Sequence, residues 1–127
     1  MNYKQIIEHI IEFYPNFLNN PVINDIEEIV HLISNPLKIT NDRAIIALNV
    51  EHIARNEVHI TDKEAIRMAT TYFLSLFQHR QNRNQRNIYK NLAYMVNRYN
   101  AIRNRFHYQN NLYTRPIRVY QARNYIT

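Results

Sequence analysis

Thr61-Asp62-Lys63-Glu64-Ala65-Ile66-Arg67-Met68-Ala69-Thr70-Thr71-Tyr72-Phe73-Leu74-Ser75-Leu76-Phe77 opens on a Thr-x-x-Glu capping box and then runs without Pro or Gly. In such a box the Thr61 side chain accepts from the Glu64 amide while the Glu64 side chain reaches back to the Thr61 amide, so the spacing predicts a helix start at this point. Ala65, Ile66, Met68, Ala69, Tyr72, Phe73, Leu76 and Phe77 then cover a wide apolar arc. A helix apolar over so much of its circumference is expected at the centre of an all-helical core.

Working toward the N-terminus, Ile6, Ile7, Ile10, Ile11, Phe13 and Tyr14 recur at helical spacing and stop at Pro15. Asn24 or Asp25 can cap a second, short helix through Ile26, Ile29, Val30 and Ile33, ended by Asn35-Pro36. A third helix starts at Thr40 or Asn41, carries Ala44, Ile45, Leu48, Ile53 and Ala54, and reaches about Asn56, leaving Glu57 to Ile60 as a link. Toward the C-terminus, residues 78–87 hold no apolar side chain. A fifth helix follows, with Ile88, Leu92, Met95, Tyr99, Ile102 and Phe106 at alternating spacings of four and three. This is a heptad seam, expected to pack on another helix, with Arg98 and Arg105 at one flank and Arg103 at the other.

After Gln109-Asn110-Asn111, Pro116 forbids a continuous helix, while Ile117 and Val119 and the tyrosines Tyr113, Tyr120 and Tyr125 favour extended backbone. The fold class expected is therefore all-α, about five helices in a compact bundle with an extended C-terminal arm. Residues 1–79 form an acidic helical core and 80–127 a basic helix plus Tyr/Arg-rich arm, within a single domain.

Charge divides at the same place. All ten acidic residues lie in the first 64 positions, which sum to −5, whereas Ala65 to Thr127 carries no Asp or Glu and sums to +11. Ordinary surfaces intersperse both signs, so this partition points to an anionic partner. Ten of the eleven cations are arginine, whose planar fork binds phosphate bidentately and stacks on bases. Seven of the ten tyrosines fall in the last 39 residues among these cations, the ingredients of single-strand binding. The candidate nucleic-acid contacts are Arg80, Arg83, Arg86, Lys90, Arg98, Arg103, Arg105, Arg115, Arg118 and Arg123. Within the arm, Leu112, Tyr113, Ile117, Val119, Tyr120 and Tyr125 would be bare on a monomer and are the candidate oligomerisation residues.

Other chemistries lose their scaffolds. There is no Cys, hence no disulfide framework, thiolate site or cysteine nucleophile, and no Gly, hence no Walker loop, dinucleotide fingerprint or serine-hydrolase elbow. Glu28-x-x-His31 has a spacing used in carboxylate-bridged metal bundles, but no second copy accompanies it, and His9 with Glu12 or His52 with His59 does not repeat it. Arg103-x-x-x-His107 resembles the Arg/His motif of helical ribonuclease toxins at too short a spacing, so no catalytic residue and no cofactor is expected. Apolar runs are far short of the roughly 20 residues that span a bilayer, and Met1 to Gln5 lacks a signal pattern, so a soluble, intracellular protein with no membrane contact is expected.

Residues 26–77 resemble the histone fold in the order of their elements. Lys38-Ile39-Thr40 stands at the first loop, His52-Ile53-Ala54 at the end of the middle helix, and Val58-His59-Ile60-Thr61-Asp62 at the second loop. The middle helix, about 17 residues, is shorter than a histone's, so histone dimerisation and DNA wrapping are not implied.

The function expected is non-enzymatic, largely sequence-independent nucleic-acid binding in a packaging, nucleoprotein or virion role, since Asn and Ile enrichment suits an AT-rich genome. The alternative is a protein assembly subunit that uses the seam and arm without nucleic acid. A helix-turn-helix regulator reading through the helix at Thr61 is disfavoured, because Asp62 and Glu64 would face phosphate.

Overall fold

The computed structural model describes residues 2–33, 39–79 and 86–111, and in the last of these segments the side chains of residues 87–103. Among the described residues there are five helices: α1 (Tyr3–Phe13), α2 (Ile26–Leu32), α3 (Asp42–Ile53), α4 (Lys63–Gln78) and α5 (Arg86–Asn111), with a π turn over Ala54–Val58 after α3. The all-α expectation holds. The arm, including Leu112, Tyr113, Arg115, Ile117, Arg118, Val119, Tyr120, Arg123 and Tyr125, lies outside the described residues, as do Arg80 and Arg83.

The α1 helix buries Ile6, Ile7 and Ile10, and it stops where expected, the Tyr14 amide closing on the Ile10 carbonyl at 2.8 Å. Ile11 and Phe13, counted with its apolar face from spacing alone, are exposed. α2 follows Asp25 and buries Ile29 and Val30. α3 is capped by Asn41, whose side chain accepts from the Ala44 amide at 2.9 Å.

The central helix is α3, a correction to the expectation placed on α4. It packs against α1, α4 and α5 and buries Ile45, Ile46, Asn49, Val50 and Ile53, whereas α4 leaves Tyr72 and Ser75 facing solvent. One of these positions is polar, and that hid the role of α3 in the apolar pattern. As the middle helix of the histone comparison, α3 is shorter still, at 12 residues.

The start of α4 is also one residue later than the capping box implied. Asp62 is the N-cap, its carboxylate accepting from the Glu64 amide at 3.1 Å, and the Glu64 carboxylate pairs with Arg67 instead of reaching back. An Asp at this place serves as both a cap acceptor and a negative charge against the helix dipole, which Thr61 cannot match.

Between α3 and α4 the chain reverses through His59, at φ 62° and ψ 37°, and the Ile60 amide returns to the Ala54 carbonyl at 2.9 Å. Glycine usually occupies a left-handed position after a helix because it has no Cβ to clash. This chain has none, so a histidine carries the strain.

The segment between α1 and α2 contributes to the core. Phe17 and Ile23 are buried, the Phe17 ring lying 5.1 Å from that of Phe73, and the Ile23 amide donates to Asn49 Oδ1 at 2.7 Å.

Candidate functional site

The side chains of α5 sort onto three faces. The face packed on the bundle is Tyr89, Ala93, Val96 and Asn100, at spacings of four, three and four. Tyr89 is fully buried, its hydroxyl donating to the Phe17 carbonyl and its ring edge-on to Phe77 at 5.0 Å. Burial pushes its phenol well above the ordinary range. Asn97, at the rim of this face, clamps the chain entering α3: its Oδ1 accepts from the Thr40 amide at 2.8 Å and its Nδ2 donates to the Thr40 carbonyl at 2.9 Å.

Each of those buried residues follows a seam residue by one position, so the expected seam is rotated about 100° out of the core. Ile88, Met95, Tyr99 and Ile102 are exposed, Tyr99 by 37% and Ile102 by 60%, with Leu92 half-buried. Tyr99, a seam residue expected to pack on another helix, faces outward, and Tyr89 is the anchor. Both stripes have helical spacing, and the seam is the more apolar. Packing selects the other because small Ala93 and Val96 let α5 come close while Tyr89 and Asn97 find backbone partners.

The third face carries the cations. Lys90, Tyr94 and Arg98 succeed one another at spacings of four, all exposed, Tyr94 by 64%. Arg103 is exposed on the opposite flank of the seam. Among the described residues none of these three cations meets a carboxylate, whereas Arg55 pairs with Glu51 at 2.9 Å and Arg67 pairs with Glu64. Arg86 begins α5 and Arg105 lies in its last turns. Ala101, Ile102 and Arg103 are all exposed, so none of the three consecutive side chains after Asn100 packs into the core.

Two further features were invisible at sequence spacing. His9 Nε2 lies 3.0 Å from Glu57 Oε1, and the Tyr14 hydroxyl donates to both Glu57 oxygens at 2.8 and 2.6 Å, tying α1 to the π turn. Partial burial pushes the Glu57 carboxyl up, but the bonds from Tyr14 and His9, with the His9 and His52 charges, outweigh it and hold the group below its usual range. The bond to Glu57, then burial and the carboxylate's charge, raise Tyr14. Second, a groove of about 500 Å³ runs along the outer side of α3, lined by Leu32, Ile39, Ala44, Ala47 and Leu48 and by the polar side chains of Glu51, His52 and Arg55.

Glu28 and His31 are exposed on α2, and among the described residues no three His, Asp or Glu side chains gather as a metal site. No helix among them is long and apolar enough to cross a membrane. Comparison with protein-family models, curated proteins and solved structures finds no match.

Proposed function

We propose that the protein binds nucleic acid, largely without regard to sequence, as a non-enzymatic packaging or nucleoprotein component, and that α5 is the contact helix. The observation that carries this reading is the set of exposed, unpaired cations Lys90, Arg98 and Arg103 interleaved with exposed Tyr94 and Tyr99. Cations without carboxylate partners are free to replace counterions on phosphate, and exposed phenol rings offer bases a stacking surface. No acidic residue on this helix opposes the approach of a polyanion.

The test is binding of random-sequence single strands by fluorescence anisotropy across a salt series. With about five phosphate contacts on a single strand, log K falls against log salt with a slope of about −3.5, a loss of about a hundred-fold between about 50 and 200 mM. Changing Lys90, Arg98 and Arg103 together to Gln makes that slope shallower by about 2 and weakens all sequences alike. A wild-type slope shallower than about −1 rejects nucleic-acid binding, and an unchanged slope in the triple variant rejects α5 as the contact helix.

The exposed seam favours a second reading, an assembly subunit that engages protein. The two readings share Tyr99, which stacks on bases in the first and meets protein in the second, and differ in the use of Lys90 and Tyr94.

A further inference from the structure

We propose that the α5 stripe of one copy docks in the α2–α3 groove of a second copy, so that the chain assembles head to tail. Among the described residues two apolar surfaces stand without a partner. One is the stripe Ile88, Met95, Tyr99 and Ile102, about 21 Å long at 1.5 Å per residue. The other is the groove, whose lining residues Leu32 and Ile39 are 49% and 81% exposed. A ridge of large side chains and a groove lined in part by Ala44 and Ala47 are the two halves of a helix-packing contact.

Charge selects this pairing over the symmetric one. Residues 86–111 carry five cations and no acid, so two α5 stripes laid together set like charge against like, with Arg98 of each copy beside the contact. The groove lies in the acidic half. Exposed Glu27 and Glu28 precede Leu32 on α2, which holds no Lys or Arg, and on α3 Glu51 already neutralises Arg55. An α5 helix entering there brings its flanking arginines toward carboxylates, and complementary fields of this kind fix partner and orientation. Because donor and acceptor surfaces differ, each copy can give a stripe and receive one, which is a heterologous contact. Lys90 and Tyr94, on the neighbouring face of α5, stay outward.

The test uses full-length protein freed of nucleic acid by nuclease, with mass read by sedimentation velocity at about 0.15 M salt and folding checked by circular dichroism. A stripe variant, Met95→Glu with Ile102→Glu, and a groove variant, Leu32→Arg with Ile39→Arg, should each be monomeric where the wild type assembles. Mixed in equal amounts they should form a complex of two chains, because the stripe variant keeps its groove and the groove variant keeps its stripe. The cysteine-free chain allows a second readout that leaves both surfaces apolar. Under mild oxidation, a mixture of Met95→Cys and Ile39→Cys proteins should give at least tenfold more mixed disulfide dimer than Met95→Cys gives with itself. A monomeric wild type, a groove variant that assembles like wild type, a mixture that stays monomeric, or preferential Met95→Cys self-linkage would each overturn the proposal.

Discussion

Two buried asparagines make opposite demands on the core. Asn49 on α3 is fully satisfied: its Oδ1 accepts from the Ile23 amide, and its Nδ2 donates to the Ile45 carbonyl at 2.9 Å and to the Ile23 carbonyl at 3.4 Å. Asn100 on α5 is also buried, yet among the described residues neither amide atom has a hydrogen-bond partner. Removing one side of a buried hydrogen bond strands the other, whereas removing a stranded group relieves a standing penalty of about 1–3 kcal/mol. Asn49→Leu should therefore cost about 2–4 kcal/mol by leaving the Ile23 backbone unpaired, while Asn100→Leu should be neutral or stabilising by about 1–2 kcal/mol. Urea unfolding of the two variants decides the matter, and an Asn100→Leu loss larger than about 1 kcal/mol would show that its amide has a use.

At the level of the helices, the cap of α4 separates what spacing says from what packing says. Asp62→Ala should lower stability by about 1 kcal/mol and Thr61→Ala by a few tenths, the reverse of a Thr61 capping box, as thermal unfolding of the pair will register. The helices themselves were legible because apolar residues recur every three or four positions and Pro15 stops α1. Which way a helix turns its face was less so. On α5 two stripes compete, Ile88-Leu92-Met95-Tyr99 and Tyr89-Ala93-Val96-Asn100, and hydrophobicity favours the one that packing leaves outside. The choice rests on hydrogen bonds to Phe17 and Thr40, residues 72 and 57 positions away, which no local pattern encodes. The cations of the candidate interface were legible from the charge partition alone. The groove was not, since Leu32 and Ile39 come from separate segments and meet only in the fold.

For the molecule as a whole, the contact of Glu57 with Tyr14 and His9 joins segments more than 40 residues apart and should set part of the response to pH. Glu57 titrates below its ordinary value in the folded state, so its contribution is complete above the usual carboxyl range and is lost as pH falls through the lowered folded value. Tyr14 titrates above its ordinary value, so its contribution is complete below about pH 10 and is lost as pH rises through the raised one. In urea midpoints measured across pH, Tyr14→Phe should flatten the alkaline limb and weaken the acid limb, and Glu57→Gln should flatten both. An alkaline limb unchanged in Tyr14→Phe would assign it to other groups. The left-handed turn at His59 has a consequence of another kind. A chain of this length would ordinarily hold about nine glycines. Each residue that stands in place of one narrows the denatured ensemble, by about 0.4–1 kcal/mol where the native backbone accepts it without strain. Among the described residues only His59 sits where that condition fails. Much of what favours the native state is thus a restriction on the disordered chain, spread along its whole length, while the opposing strain is confined to a single histidine.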